Sequence, residues 1–308
     1  MSKHRAILIA GPTASGKSAA AMAVAERVGG VVINADSMQV YRDLRVLTAR
    51  PDEEDEGRVP HRLYGHVDAG DPYSAGRWLG EAGDAIADAG KAGRMPVITG
   101  GTGLYFKARL EGLSPVPDIP DDVRTRWRGV AAGMDAHGLH DMLKDRDPEM
   151  AARLQPSDPQ RVVRSLEVMD ATGQSLARWQ EQPGVPLLAE TDVLKIRISP
   201  PRDVLYDRIN RRFDAMLEDG ALDEVRALGE RGLDPGLPAM RAIGVRPLLS
   251  HLDGEFTLEV AMDRAKTETR RYAKRQDTWG KSNMIAWKHV KEQEMESLIS
   301  AIFSFIDV

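Results

Sequence analysis

Short apolar runs alternate along the chain with longer stretches in which apolar positions recur every three or four residues. That is the texture of strands alternating with helices. Residues 6–10 (AILIA) form the first apolar run and predict a buried strand. A glycine loop follows, then an alanine-rich helical pattern over residues 18–28, stopped by Gly29-Gly30. Residues 31–35 (VVINA) predict a second strand ending at Asp36, and residues 95–99 (MPVIT) a third running into Gly100-Gly101-Thr102-Gly103. A fourth is expected over residues 193–199 (VLKIRIS). Strands separated by helices imply an α/β fold, a mainly parallel sheet covered by helices.

Between the third and fourth strands the texture changes. Residues 112–120 (GLSPVPDIP) carry three prolines and read as an extended linker. Beyond them lie only helical patterns, over residues 123–132, 139–144, 148–154 and 159–172. The expected organisation is a core begun by residues 1–115, a small all-helical insertion over 116–155, and a second part of the core over 156–308. The helix from Pro159 is expected to return to that core. Further helices are predicted over residues 204–217, 221–230 and 256–279.

Composition sharpens this picture. The 308 residues sum to a net charge of −5, which by itself argues against a nucleic-acid partner. Five of those negative charges sit together in Asp52-Glu53-Glu54-Asp55-Glu56, read as a solvated loop. Seven cations fall within residues 264–281 (Arg264, Lys266, Arg270, Arg271, Lys274, Arg275 and Lys281) against Glu268 and Asp277. Such a run is usually a solvated helix face, but on a neutral background it fits an RNA footprint. The absence of cysteine excludes disulfides, a thiol nucleophile and thiolate metal sites. No apolar run is long enough to span a membrane and no signal peptide opens the chain, so a soluble cytoplasmic protein is expected. Nothing in the sequence demands more than a monomer.

The first loop carries the clearest chemistry. Gly11-Pro12-Thr13-Ala14-Ser15-Gly16-Lys17-Ser18 fits the phosphate-loop pattern G-x-x-x-x-G-K-[ST] between a strand and a helix. Glycines let successive backbone amides turn toward one anion, and the following helix adds its positive end. Lys17 would neutralise terminal phosphate charge and Ser18 would offer a hydroxyl to Mg²⁺. The motif does not say which molecule carries the phosphates. An acid ending a core strand, the usual Mg²⁺ anchor of ATPases and GTPases, is missing after the third strand. The one strand-end acid is Asp36, open to three readings: a magnesium partner, a solvated loop acid, or a general base beside the phosphate site.

Taken together, separated motifs resemble the tRNA dimethylallyltransferase (tRNA isopentenyltransferase) family of bacterial type. They are GPTASGKS at 11–18, DSMQVY at 36–41 with TARP at 48–51, PHRL at 60–63, GGTGLYFKARLEGLSP at 100–115, DPQRVVRSLEV at 158–168, NRRFDAML at 210–217 and MRAIGVR at 240–246. The resemblance implies a P-loop fold that transfers a dimethylallyl group from dimethylallyl diphosphate. The acceptor is N6 of the adenosine 3′ of the anticodon, position 37, in the anticodon stem-loop of tRNA.

By that resemblance Asp36 is the general base, and Thr102 and Arg212 contact the diphosphate near the breaking bond. Residues Gly11, Thr13, Ala14, Ser15, Gly16, Lys17 and Ser18 bind the diphosphate, with Mg²⁺ at Ser18. Asp36, Ser37, Met38, Gln39 and Thr102 read the target base. Arg124, Gln160, Arg161, Arg164, Arg241, Gly244 and Arg246 contact the tRNA. Arg208, one turn before Arg212, is assigned to a solvated basic face, and Trp279 and Trp287 to core anchors.

One departure stands out: Val245 occupies a position where family members commonly carry Tyr. Three other readings share parts of the pattern. A small-molecule kinase would share the P-loop but has no need of Gln160-Arg161 or the segment 241–246. An enzyme that prenylates free adenine nucleotides would need neither the helical insertion nor the basic stretch. A non-enzymatic RNA-binding module would have no use for an intact P-loop.

Overall fold

The computed structural model describes residues 4–306. Six strands form one parallel sheet: β1 (Ala6–Ala10), β2 (Gly30–Asn34), β3 (His61–Arg62), β4 (Met95–Gly100), β5 (Val193–Ile198) and β6 (Lys288–Val290), in the order β3-β2-β4-β1-β5-β6. The four expected strands are present within a residue or two of their predicted limits. β3 and β6, two and three residues long, are too short to leave a pattern. β1 lies at the centre, with Ile7 opposite Val97 on one side and Leu194 on the other. Every residue of β1 and β2 is buried, as helices on both faces require.

Helices α1 (Lys17–Val28), α2 (Glu53–Arg58), α3 (Ala75–Lys91) and α4 (Gly103–Glu111) follow the early strands. The acidic run is not the open loop expected. Asp52 accepts the Asp55 amide as an N-cap, and four acids fill the first turn of α2, where they meet the positive end of the helix.

Contacts divide the chain into two compact units: residues 1–110 with 187–308, and residues 111–186. The helical unit is larger than the sequence suggested, and the boundary expected at 155 lies at 186. It holds α5 (Asp121–Ala132), α6 (Ala136–Arg146), α7 (Pro148–Ala151), α8 (Pro159–Thr172) and α9 (Leu176–Gln180). α8 was expected to return to the α/β core. Instead Val162, Leu166 and Val168 pack with Val123, Trp127, Leu139 and Leu143 in the unit's own core. Its amphipathic stripe needed an apolar partner, and α5 and α6 supply one.

The first unit closes with α10 (Arg202–Glu218), α11 (Ala221–Glu230), α12 (Val245–Leu252), α13 (Leu258–Asn283) and α14 (Met295–Ile306). α13 packs on α10 and α12, and α14 on α1. Met295 and Leu298 of α14 lie against Gly16 of the first loop.

Candidate active site

The loop after β1 turns sharply into α1. Ala14 and Gly16 both take left-handed backbone angles (φ 63° and 90°), costly for alanine and tolerated where a loop must present its amides to one point. Lys17 Nζ donates to the Pro12 carbonyl at 3.3 Å, and Ser18 is exposed in the first turn of α1. Burial lowers the Lys17 pKa to about 8; Asp36 pulls it up and Arg212 pushes it down. Lys17, Asp36 and Arg212 thus form one electrostatic cluster.

Asp36 enters from the same edge of the sheet, two residues beyond the end of β2. Asn34, the last residue of β2, is wholly buried and holds the turn. Its side chain accepts the Asp36 amide at 2.8 Å and donates to the carbonyls of Asp36 and Leu63. The carboxylate accepts the Met38 amide at 3.0 Å. Thr102 faces it from the β4–α4 loop, its Oγ1 accepting the Ser37 amide at 3.0 Å. A methyl group on Gly100 would overlap the Ala35 carbonyl, so only glycine lets β4 pass this close to the Asp36 turn.

The loop after Asp36 is pinned at two points. Gln39 donates to the carbonyls of Thr48 and Ala49 at 2.9 Å each. Its amide hydrogens therefore hold the loop. The Glu224 carboxylate accepts the backbone amides of Arg45, Val46 and Leu47.

α10 and α13 form the facing wall. Arg212 donates to the Thr13 hydroxyl, and burial lowers its pKa while Asp36 raises it. Gln276 of α13 accepts the Thr13 amide and donates to the Gly101 carbonyl, both at 2.9 Å. A cavity of about 250 Å³ opens between the two loops and α13, lined among others by Gly11, Thr102, Phe106, Tyr272 and Trp279. Trp279, expected as a core anchor, is half-buried against the core that holds Phe106 and Trp287, and its ring, over Gly103, also lines this cavity. Trp287 is buried edge-on against Phe106, as anticipated.

The predicted diphosphate residues, Asp36, Ser37, Met38, Gln39, Thr102 and Arg212 therefore converge on one edge of the first unit. Arg241, Gly244 and Arg246 belong to this unit too, near the N-terminal end of α12. Gly244 has φ 96°, and Val245 is wholly buried in the core shared by α11–α13. In this chain that position is packing, not an exposed stacking platform. Arg124, Gln160, Arg161 and Arg164 lie in the helical unit. Each arginine forms an ion pair on its own helix or cap: Arg124 with Asp121, Arg161 with Asp158, Arg164 with Glu167.

Several contributors escaped sequence reasoning. Arg208 is not simply solvated. It donates to the Ala14 carbonyl at 3.5 Å and to that of Gln293, tying the phosphate loop to the segment before α14. Asn34 and Glu224 act through backbone atoms distant in sequence, which no local pattern records. Gln276 sits inside the basic stretch, where the cations drew attention away from it.

No group of three or more His, Asp or Glu among the described residues is placed to hold a metal. The oxygen donors on and beside the loop are the hydroxyls of Thr13, Ser15 and Ser18 and the Asp36 carboxylate; Arg212 occupies Thr13 and Ser15 is wholly buried, which leaves Ser18 and Asp36. So sparse a set fits Mg²⁺, which is commonly held by one or two protein oxygens together with substrate phosphates.

Comparison with known proteins places this arrangement. The model of the IPP transferase family matches residues 39–283, and that of an isopentenyl transferase family matches residues 4–65. A tRNA dimethylallyltransferase from Parvibaculum lavamentivorans is 54% identical over 98% of this chain and 96% of its own length. One from Beijerinckia indica is 55% identical over 94% and 96%. The crystal structure of a full-length tRNA isopentenylpyrophosphate transferase from Bacillus halodurans is 34% identical, with a TM-score of 0.69 over 98% of this chain and 95% of that one. A eukaryotic dimethylallyltransferase acting on tRNA is 29% identical, with a TM-score of 0.80 over 98% and 79%. The chain belongs to the IPP transferase family, the tRNA dimethylallyltransferases.

Proposed function

We propose that the protein transfers a dimethylallyl group from dimethylallyl diphosphate to N6 of adenosine 37 in tRNA. The observation that carries this reading is the convergence of a phosphate loop, Lys17 and Arg212 with a single carboxylate, Asp36, at one sheet edge. An adenine N6 amine is a poor nucleophile, because its lone pair is delocalised into the ring. Transfer needs a stabilised leaving group and a nearby proton acceptor.

The amides of residues 14 and 16–18, Lys17 and Arg212 would bind the diphosphate and stabilise charge as the allylic C–O bond breaks, while the Ser15 amide is given to the Pro12 carbonyl. Asp36 would accept the N6 proton as the new C–N bond forms. Thr102, beside Ser37, would orient the amine. Ser18 would hold Mg²⁺ together with diphosphate oxygens, and the ion, when bound, supplies further neutralising charge. The target base must leave its stack to reach Asp36. Arg124, Gln160, Arg161, Arg164, Arg241, Gly244, Arg246 and the cations of α13 would grip the surrounding anticodon stem-loop. The enzyme would act as a cytoplasmic monomer; among the described residues no helix is long and apolar enough to cross a membrane.

The test is to incubate the protein with dimethylallyl diphosphate, Mg²⁺ and either unmodified tRNA, AMP or ADP, and to analyse digests by mass spectrometry. N6-dimethylallyladenosine from tRNA at position 37 is expected. Product on AMP or ADP alone would show prenylation of free nucleotides instead. Phosphate transfer from ATP in place of alkyl transfer would show a kinase.

A further inference from the structure

α13 carries the basic stretch along its length, yet two uncharged side chains one turn apart, Tyr272 and Gln276, point into the site. Gln276 uses both ends of its amide. Its oxygen takes the Thr13 amide and its nitrogen meets the Gly101 carbonyl, so one side chain spans the phosphate loop and the β4–α4 loop. Thr13 is thereby held twice, at its amide by Gln276 and at its hydroxyl by Arg212. The Thr13 amide is also withdrawn from the anion cradle, as the Ser15 amide is by the Pro12 carbonyl, leaving the diphosphate to the amides of residues 14 and 16–18. A methyl group on Gly101 would overlap the Gln276 amide and lie 3.4 Å from Asp36 Oδ2, which places Gln276 and the carboxylate against the same backbone.

The β4–α4 loop that Gln276 grips at Gly101 also carries Thr102, whose Oγ1 accepts the Ser37 amide at 3.0 Å. Tyr272, one turn earlier on α13, lines the same cavity as Thr102 and Gln276.

We propose that Gln276 is a positioning residue for the transfer reaction: it sets the gap between the donor loop and the acceptor loop. The inference rests on the prenyl-transfer reading. Loosening the gap weakens donor binding.

For the Gln276 role, Gln276→Leu, with Gln276→Met where the first does not fold, is expected to raise KM for dimethylallyl diphosphate about 10-fold. The tRNA Kd should stay within about twofold. An unchanged KM, or a loss confined to tRNA binding, would remove Gln276 from this role. Because wild-type transfer is measured alongside, absence of any prenylation would refute the prenyl-transfer reading itself, distinguishably from these outcomes.

Discussion

Lys17 offers a prediction whose size follows from its surroundings. In the unfolded chain its ammonium keeps its proton up to about 10.5, whereas in the folded site burial lowers the pKa to about 8. Only the protonated form attracts a diphosphate. The protonated fraction falls from about nine-tenths at pH 7 to about one-tenth at pH 9, so the apparent affinity for dimethylallyl diphosphate should fall about 10-fold across that interval. The ligand adds no titration of its own there, since a prenyl diphosphate is almost fully ionised above about pH 7.

The stability of the ligand-free protein carries the opposite sign. The folded pKa is depressed, so the folded state holds fewer protons than the unfolded state between about 8 and 10.5. The cost of keeping Lys17 charged, on the order of 3 kcal/mol, is therefore fully present below pH 8 and is relieved as pH rises toward 10.5. Calorimetric titration of dimethylallyl diphosphate without tRNA, from pH 7 to 9.5, measures the binding effect. Lys17→Arg retains its charge and should show a flat profile; Lys17→Met should bind weakly and also show a flat profile. A flat wild-type profile, or the same slope in Lys17→Arg, would refute the reasoning.

Two further outcomes follow from the fold and the basic helix. Val245→Tyr should destabilise the chain by about 1–3 kcal/mol, read as a lower melting temperature, because Val245 is wholly buried and the larger ring has nowhere to go. A restored aromatic that raised tRNA affinity without loss of stability would contradict that packing. On α13, Arg271 and Lys274 are exposed and one turn apart. Replacing both with Gln should weaken tRNA binding and lower the slope of log Kd against log salt by about 0.9 for each phosphate no longer neutralised, leaving KM for dimethylallyl diphosphate unmoved. An unchanged slope would show that this face is simply solvated.

What the sequence made legible was whatever is local or periodic. The four longer strands, the phosphate loop and α8 itself each announce their limits through apolar runs, glycines or an Asp-Pro cap. The destination of α8 was not legible, because an apolar stripe specifies that a partner is needed without saying which. Arg208 illustrates the same limit. Charge and spacing made it look solvated, and only the tertiary structure sets the Ala14 and Gln293 carbonyls within its reach. Asn34 reads as the polar end of a strand, but its side chain organises the Asp36 turn through Leu63, 29 residues away. The acidic run looked like a solvated loop because like charges repel; its order comes from the Asp52 cap and the helix end that receives them. Gln39 was expected to read the base, and the fold commits its amide hydrogens to Thr48 and Ala49.

The central claim is that Asp36, set beside the phosphate loop with Lys17 and Arg212, takes the proton from the attacking amine. Single-turnover transfer by Asp36→Ala, with tRNA and dimethylallyl diphosphate both saturating, tests it most directly when tRNA Kd is measured on the same preparation. A chemical step slowed about 10²–10⁴-fold, with tRNA Kd within about twofold of wild type, is the predicted result. Normal single-turnover chemistry accompanied by loss of tRNA binding would contradict it.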